Sequence, residues 1–144
     1  LNLTKKKILP YIDLEYSTEL ALADHWDQLS SRDKKIFQRD IKNSLINEYV
    51  VILSSLTNWE DIKVTVNEDF SQIENIARVK ITVSLDNKNT NASVTLKLIR
   101  KNRWKIYDLE YQSISIVDIE KMGYDSKIKR QGVKNLVQKL LSKS

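Results

Sequence analysis

Asp108 is the carboxylate with the most apolar setting in the chain, with Trp104, Ile106, Tyr107 and Leu109 around it. Facing a cavity, such an acid would have its pKa raised by desolvation, as for a general base. Facing a turn, or paired with Lys105 or Arg103, it would be structural, which is the expectation. The single histidine, His25, stands beside Asp24 with Asp27 two residues on. Neighbours on a helix end point in different directions, so Asp24-His25-Asp27 is not a catalytic relay, and an exposed or capping histidine is expected. There is no cysteine, which removes disulfides, thiolate metal sites and cysteine nucleophiles. One histidine leaves only a carboxylate cage for a metal, and no acidic cluster has calcium-loop spacing. Gly123 and Gly132 are the only glycines, too few for a phosphate-cradling loop. No catalytic residue, no metal and no cofactor are therefore expected.

Net charge is +5, and its distribution says more than its size. From Lys121 onward seven basic residues face Asp125 alone, which puts +6 in the last 24 residues and leaves −1 for everything before. Such asymmetry marks either a docking face for an acidic or phosphate-bearing partner or a solvated helix face. Nucleic acid is not expected, because the tail has Tyr124 but no regular interleaving of aromatics with cations. No run is long enough for a membrane helix, and LNLTKKKILP lacks the apolar centre of a secretion signal. With Leu1 in first place, removal of residues ahead of it is expected.

These groups must be positioned by elements that the hydropathy pattern outlines. Asp13 can cap a helix carrying Leu14, Ser17, Leu20 and Ala21, ending near Asp24, and Ser30 with Asp33 resembles a capping box. Behind it a helix over residues 31–56 carries Phe37, Ile41, Leu45, Tyr49, Ile52 and Leu56 on one stripe, wide enough to cover a sheet. Four strands follow, led by Ile62, Val64 and Val66, then by Val79, Ile81, Val83 and Leu85, then by Val94, Leu96 and Leu98. Turns are expected at residues 71–75, 86–91 and 101–103. The fourth strand opens on Trp104 and Ile106, but Leu109 and Tyr111 fall on the opposite parity. A one-residue slip turns side chains to the wrong face unless a bulge absorbs it, so a bend is predicted at Tyr107 and Asp108, with a second slip at Ser113. After Val117 a short helix interrupted at Gly123 is expected, then, beyond Gly132, a last helix with Val133, Leu136, Val137, Leu140 and Leu141 on one face. The whole reads as one α+β domain over residues 1–144: helices at 13–56, a curled four-stranded antiparallel meander at 62–117 covered on one face by helices, and helices at 118–142.

The stretch from Trp104 through Tyr107-Asp108 to Ser115-Ile116-Val117, followed by Gly132 and a leucine-rich end, resembles the C-terminal half of the MlaC, or toluene-tolerance, family of periplasmic phospholipid-binding proteins. The N-terminal half is similar as well, in Ile8-Leu9-Pro10-Tyr11-Ile12-Asp13, Leu22-Ala23 with Trp26, and Phe37, Leu45 and Tyr49. The chain departs from the family pattern at Ala23 and Ser113, where the family tends to have glycine, and at Ile119-Glu120-Lys121, where Asn-Tyr-Arg is common. Family members also carry more residues before the Leu-Pro segment, so a truncated or divergent form is expected.

The resemblance implies a monomeric carrier that shuttles phospholipid between an outer-membrane lipoprotein complex and an inner-membrane ABC transporter with an MCE-domain subunit. Hiding acyl chains is worth roughly 0.8 kcal/mol per methylene, so a two-chain lipid, at about 20 kcal/mol, demands an enclosed apolar cavity between helices and sheet. The candidate lining is Leu45, Tyr49, Ile52 and Leu53 from the long helix, Ile81, Val83, Val94, Leu96, Leu98 and Ile106 from the sheet, and Val117, Val133 and Leu136 near the exit. Each would equally serve as ordinary core. Lys121, Lys127, Lys129 and Arg130 would face partners or headgroups. The competing readings are an enzyme on a cone-shaped sheet with Asp108 as base, and a basic interaction module.

Overall fold

The computed structural model describes residues 9–55, 62–85 and 88–143, with side chains over 9–49, 51, 71–82 and 93–143. After a 3₁₀ turn at Leu9–Tyr11, helix α1 spans Leu14–Leu22. Asp13 caps it as expected, its carboxylate accepting the Tyr16 N–H at 2.9 Å. The helix stops where Ala23 enters the left-handed region with φ 50°, and a 3₁₀ segment, Ala23–Gln28, follows. Ser30 Oγ then accepts the Asp33 N–H at 3.1 Å, the serine half of the predicted box, and opens α2, Ser31–Ser55. Phe37, Ile41, Leu45 and Tyr49 recur every fourth residue on α2, and all four are buried.

The sheet is β1 (Ile62–Ile73), β2 (Ile76–Leu85), β3 (Lys88–Arg100), β4 (Trp104–Tyr111) and β5 (Ile114–Ser115), an antiparallel meander in sequence order. It has five strands rather than four. What reads as a second slip at Ser113 is a two-residue turn: Gln112 and Ser113 take φ 51° and 64°, and Ile114 folds back opposite Tyr111. Positive φ at both central residues is what a tight hairpin turn of this handedness requires. The first turn is at Glu74 and Asn75, shorter than expected, and the third lies at Lys101–Arg103. The expected 86–91 turn narrows, since Lys88 already pairs with Leu85; Asp86 and Asn87, like Leu56 and the 56–61 helix end, lie outside the described residues.

The predicted bend in β4 is present. Lys97 pairs with Asp108 and Leu98 with Ile106, so Tyr107 is the extra residue of a bulge. The insertion brings Ile106 opposite Leu98 and Leu109 opposite Leu96, returning both to one face in spite of their opposite parity. Shifts also interrupt the β1–β2 ladder between Val66 and Phe70 and the β2–β3 ladder between Ser84 and Leu85. Each is a point at which a strand bends, so none of the three long ladders runs straight.

Helix α3 (Ile116–Gln131) begins two residues earlier than expected and runs through Gly123 without interruption. Ser115 is its N-cap, accepting the Asp118 N–H at 3.1 Å, which takes Ile116 and Val117 out of the sheet and into the first helical turn. Gly132, at φ 80°, ends it and starts α4 (Val133–Ser142), as predicted. One apolar cluster joins Phe37, Ile41, Leu45 and Tyr49 of α2 to Val94 and Leu109 of the sheet, Val117, Tyr124 and Ile128 of α3, and Leu136 and Val137 of α4. Phe37 and Tyr124 meet edge to face at 5.8 Å.

Candidate functional site

Asp108, on the bulge, is 2% exposed. Its Oδ1 accepts the N–H groups of Leu109 at 2.8 Å and Val117 at 3.1 Å, while Oδ2 accepts from Ser115 Oγ and lies 3.1 Å from Lys97 Nζ. A carboxylate offers about four acceptor sites, and here four donors occupy them. The partner is therefore Lys97 of the neighbouring strand, not Lys105 or Arg103. With its lone pairs committed to holding β4, β5 and the α3 N-terminus together, Asp108 is not placed to take a proton from a substrate.

The bulge also seats α1. The Ile106 carbonyl accepts the Asp13 N–H at 2.8 Å, and the Tyr107 carbonyl accepts Ser17 Oγ at 2.6 Å, with the Tyr16 and Tyr107 rings edge to face at 5.0 Å. Lys101 Nζ lies 3.0 Å from Asp13 Oδ2, and this contact raises the Lys101 pKa above the ordinary lysine value.

Of the candidate lining residues, Leu45, Tyr49, Val94, Val117 and Leu136 are buried in the single apolar cluster, with Leu96 and Val133 packed against it. The register sets Ile81 opposite Val94 and Leu98 opposite Ile106, all on partly or fully buried strand positions. The side chains of Ile52, Leu53 and Val83 lie outside the described ones. The hydroxyl of Tyr49 is buried and has no hydrogen-bond partner. Burial, reinforced by Asp108 and Glu120, pushes its pKa far up, so it is a neutral phenol at any working pH.

Between α2 and α3 runs a polar seam that the sequence does not announce. Ser44 donates to Glu120, and Tyr124 donates to Asp40. Glu120 is pushed above the usual carboxylate range by desolvation, against the opposing pull of the Ser44 bond.

His25 is partly exposed and bonded rather than capping: its Nε2 meets Asp125 Oδ1 at 2.9 Å, and Lys129 Nζ meets Asp125 Oδ2 at the same distance. His25, then Lys129, hold Asp125 below the ordinary aspartate range. A groove of about 650 Å³ lies here, lined by Ala21 to His25 and by Asp118, Lys121, Met122, Asp125 and Lys129. Among the described residues, none of the candidate lining residues borders it. The four predicted docking residues do not form one patch. At about 100° of helical turn per residue, Lys121 and Arg130 stand on opposite sides of α3. Lys121 and Lys129 border the groove, whereas Lys127 lies 5.2 Å from the Tyr124 ring centre. Among the described residues no group of three or more metal-ligating side chains forms, and no helix is long and apolar enough to cross a membrane.

A family model described as MlaC protein matches residues 1–142. Among curated proteins, the intermembrane phospholipid transport system binding protein MlaC of Haemophilus influenzae is 20% identical, the match covering 96% of this chain and 65% of the relative. Among solved structures, the phospholipid-binding protein from Ralstonia solanacearum, determined in complex with a phospholipid, superposes with a TM-score of 0.78 at 25% identity, covering 98% of this chain and 78% of that one.

Proposed function

With the match to its model running over residues 1–142, the chain belongs to the MlaC protein family, and from that premise we propose that it is a phospholipid-binding carrier acting between membranes in the periplasm. The observation that carries the reading is the superposition, over 98% of the chain, on a protein solved with a phospholipid bound. The three interrupted ladders support it, because bent strands under a long amphipathic helix leave room for a hollow that straight ones would fill.

In this reading residues 1–144 act as a single lipid-binding domain. Acyl chains enter between α2 and the sheet, against Leu45, Tyr49, Ile52, Leu53, Ile81, Val83, Val94, Leu96, Leu98 and Ile106, with Val117, Val133 and Leu136 toward the helical end. Lys121 and Lys129, beside the groove, contribute to docking on an inner-membrane ABC transporter with an MCE-domain subunit and on an outer-membrane lipoprotein complex. The protein works as a monomer without cofactor, and its action is binding rather than catalysis.

Organic extraction of the purified protein followed by mass spectrometry tests the proposal. Phospholipid in about stoichiometric amount is expected, and its repeated absence from protein purified without detergent overturns the reading.

A further inference from the structure

Tyr49 is the fourth member of the stripe begun by Phe37, Ile41 and Leu45, and like them it is buried, at 3% exposure. Unlike them it carries a hydroxyl. Among the described residues that hydroxyl is the one buried side-chain oxygen or nitrogen without a hydrogen-bond partner. The rest of the interior does not tolerate such a group. Tyr124, the other buried tyrosine, donates to Asp40; Ser17, Thr18 and Ser115 all have acceptors; Asp108 has four donors. Nine in ten or more buried polar groups in folded proteins are paired, so an unpaired one points to a partner that binds from outside the chain. A phenylalanine would fill the same space without the desolvation penalty.

The surroundings decide what that partner is. Asp108 and Glu120 are the charged groups whose fields reach the Tyr49 ring, and both have their own donors, Asp108 in Lys97, Ser115 and two backbone N–H groups and Glu120 in Ser44. The phenol is therefore a neutral donor in a region of low dielectric. A phosphate brought to it would have to shed its hydration, a cost that one phenol hydrogen bond does not offset. A neutral acceptor carried on an apolar body has far less to shed, and the uncharged acceptors of a diacyl phospholipid are its two ester carbonyls.

We propose that the Tyr49 hydroxyl donates a hydrogen bond to an acyl ester carbonyl of the bound lipid, and so makes the pocket selective for ester-linked over ether-linked chains. This rests on the carrier reading and adds a specificity determinant to it. Tyr49 fixes how deep the lipid sits: the ester level docks beside α2, and the chains lie beyond it.

The test is competitive loading. Delipidated protein is offered equal amounts of a diacyl phosphatidylcholine and its dialkyl ether analogue, with the same chains and headgroup, and the bound pair is quantified by mass spectrometry. The unaltered protein is expected to prefer the ester lipid about tenfold. Tyr49→Phe should bring the ratio close to one by weakening retention of the ester lipid while leaving that of the ether analogue as it was, and the lipid-free variant should melt no lower than the parent. An unaltered protein that shows no ester preference overturns the inference without touching the carrier reading, and so does a Tyr49→Phe protein that retains the full preference. Absence of both lipids from the unaltered protein overturns the carrier reading and this inference together. The first measurement uses the parent chain, so the inference is exposed to refutation even where the variant folds poorly.

Discussion

Ala23→Gly should stabilise the protein, and the size of the gain follows from the backbone. Ala23 ends α1 at φ 50° and ψ −122°, a combination that glycine adopts freely and that costs a residue with a Cβ about 1–3 kcal/mol. Glycine gives back roughly 0.5–1 kcal/mol because its unfolded chain has more freedom to lose. The net expectation is a gain of about 1 kcal/mol, or about 3–5 °C in Tm for a domain of this size. Thermal melts followed by circular dichroism, with urea titration as a second probe, read it directly. A Tm that is unchanged or lower in Ala23→Gly would mean that the 3₁₀ segment behind it, with His25 held on Asp125, relaxes the strain, and the reasoning from φ and ψ would be wrong. Ser113, at φ 64° in the β4–β5 turn, provides an internal control in which glycine should help by a smaller amount, since αL is a milder region than that of Ala23.

Asp108→Asn should cost about 3 kcal/mol in urea unfolding, because it sets a donor amide beside Lys97, whose side chain is only 17% exposed, and leaves that lysine only the longer 3.6 Å pairing with Glu110. Preserved lipid retention in protein that remains folded is expected of a structural hub, and loss of a chemical activity would instead restore Asp108 as a base. Glu120→Gln should flatten the pH dependence of stability. A carboxyl whose pKa is raised by folding binds more protons folded than unfolded, so its burden appears as pH rises above the ordinary value near 4.5. Melts from acid to neutral pH should show the parent losing stability relative to the variant across that interval, and parallel curves would refute the assignment. Charge reversal at Lys121 and Lys129 should slow lipid transfer to partner membranes severalfold while leaving bound lipid unchanged. A variant that loses lipid instead would place these residues at the ligand.

Much of this fold is legible in the chain because the decisive signals are local. The alternation of Val94, Leu96 and Leu98 and its failure between Ile106 and Leu109 locate the bulge at Tyr107, since no other arrangement returns Leu109 to the face of Leu96. The four-residue spacing from Phe37 to Tyr49 defines the buried stripe of α2. The fifth strand is a different matter: Ile114–Ser115 is too short to show a period, and its pairing depends on two non-glycine residues accepting positive φ. The early start of α3 does have a signal, the Ser115-Ile116-Val117-Asp118 capping pattern. The aliphatic pair within it reads equally well as the end of a strand. Gly123 stays inside the helix because one glycine costs only about 1 kcal/mol there, less than the packing of Tyr124 and Ile128 supplies.

The partnerships of the polar groups are not legible in the chain. The bond between His25 and Asp125 spans 100 residues, and that between Ser44 and Glu120 spans 76, so no spacing rule reaches them. Lys97 becomes predictable as the partner of Asp108 once the bulge is placed, because the register then sets the two opposite each other. The unpaired hydroxyl of Tyr49 could not be read at all, since a tyrosine on an apolar stripe looks the same whether its oxygen is satisfied or waiting for a ligand.

Native mass spectrometry of the intact chain, first stripped of lipid and then incubated with phospholipid vesicles, tests the central claim most directly. The account predicts a species heavier than the bare chain by one phospholipid, lost on delipidation and regained on reloading. A chain that stays at its bare mass after exposure to vesicles, while remaining folded, would contradict it.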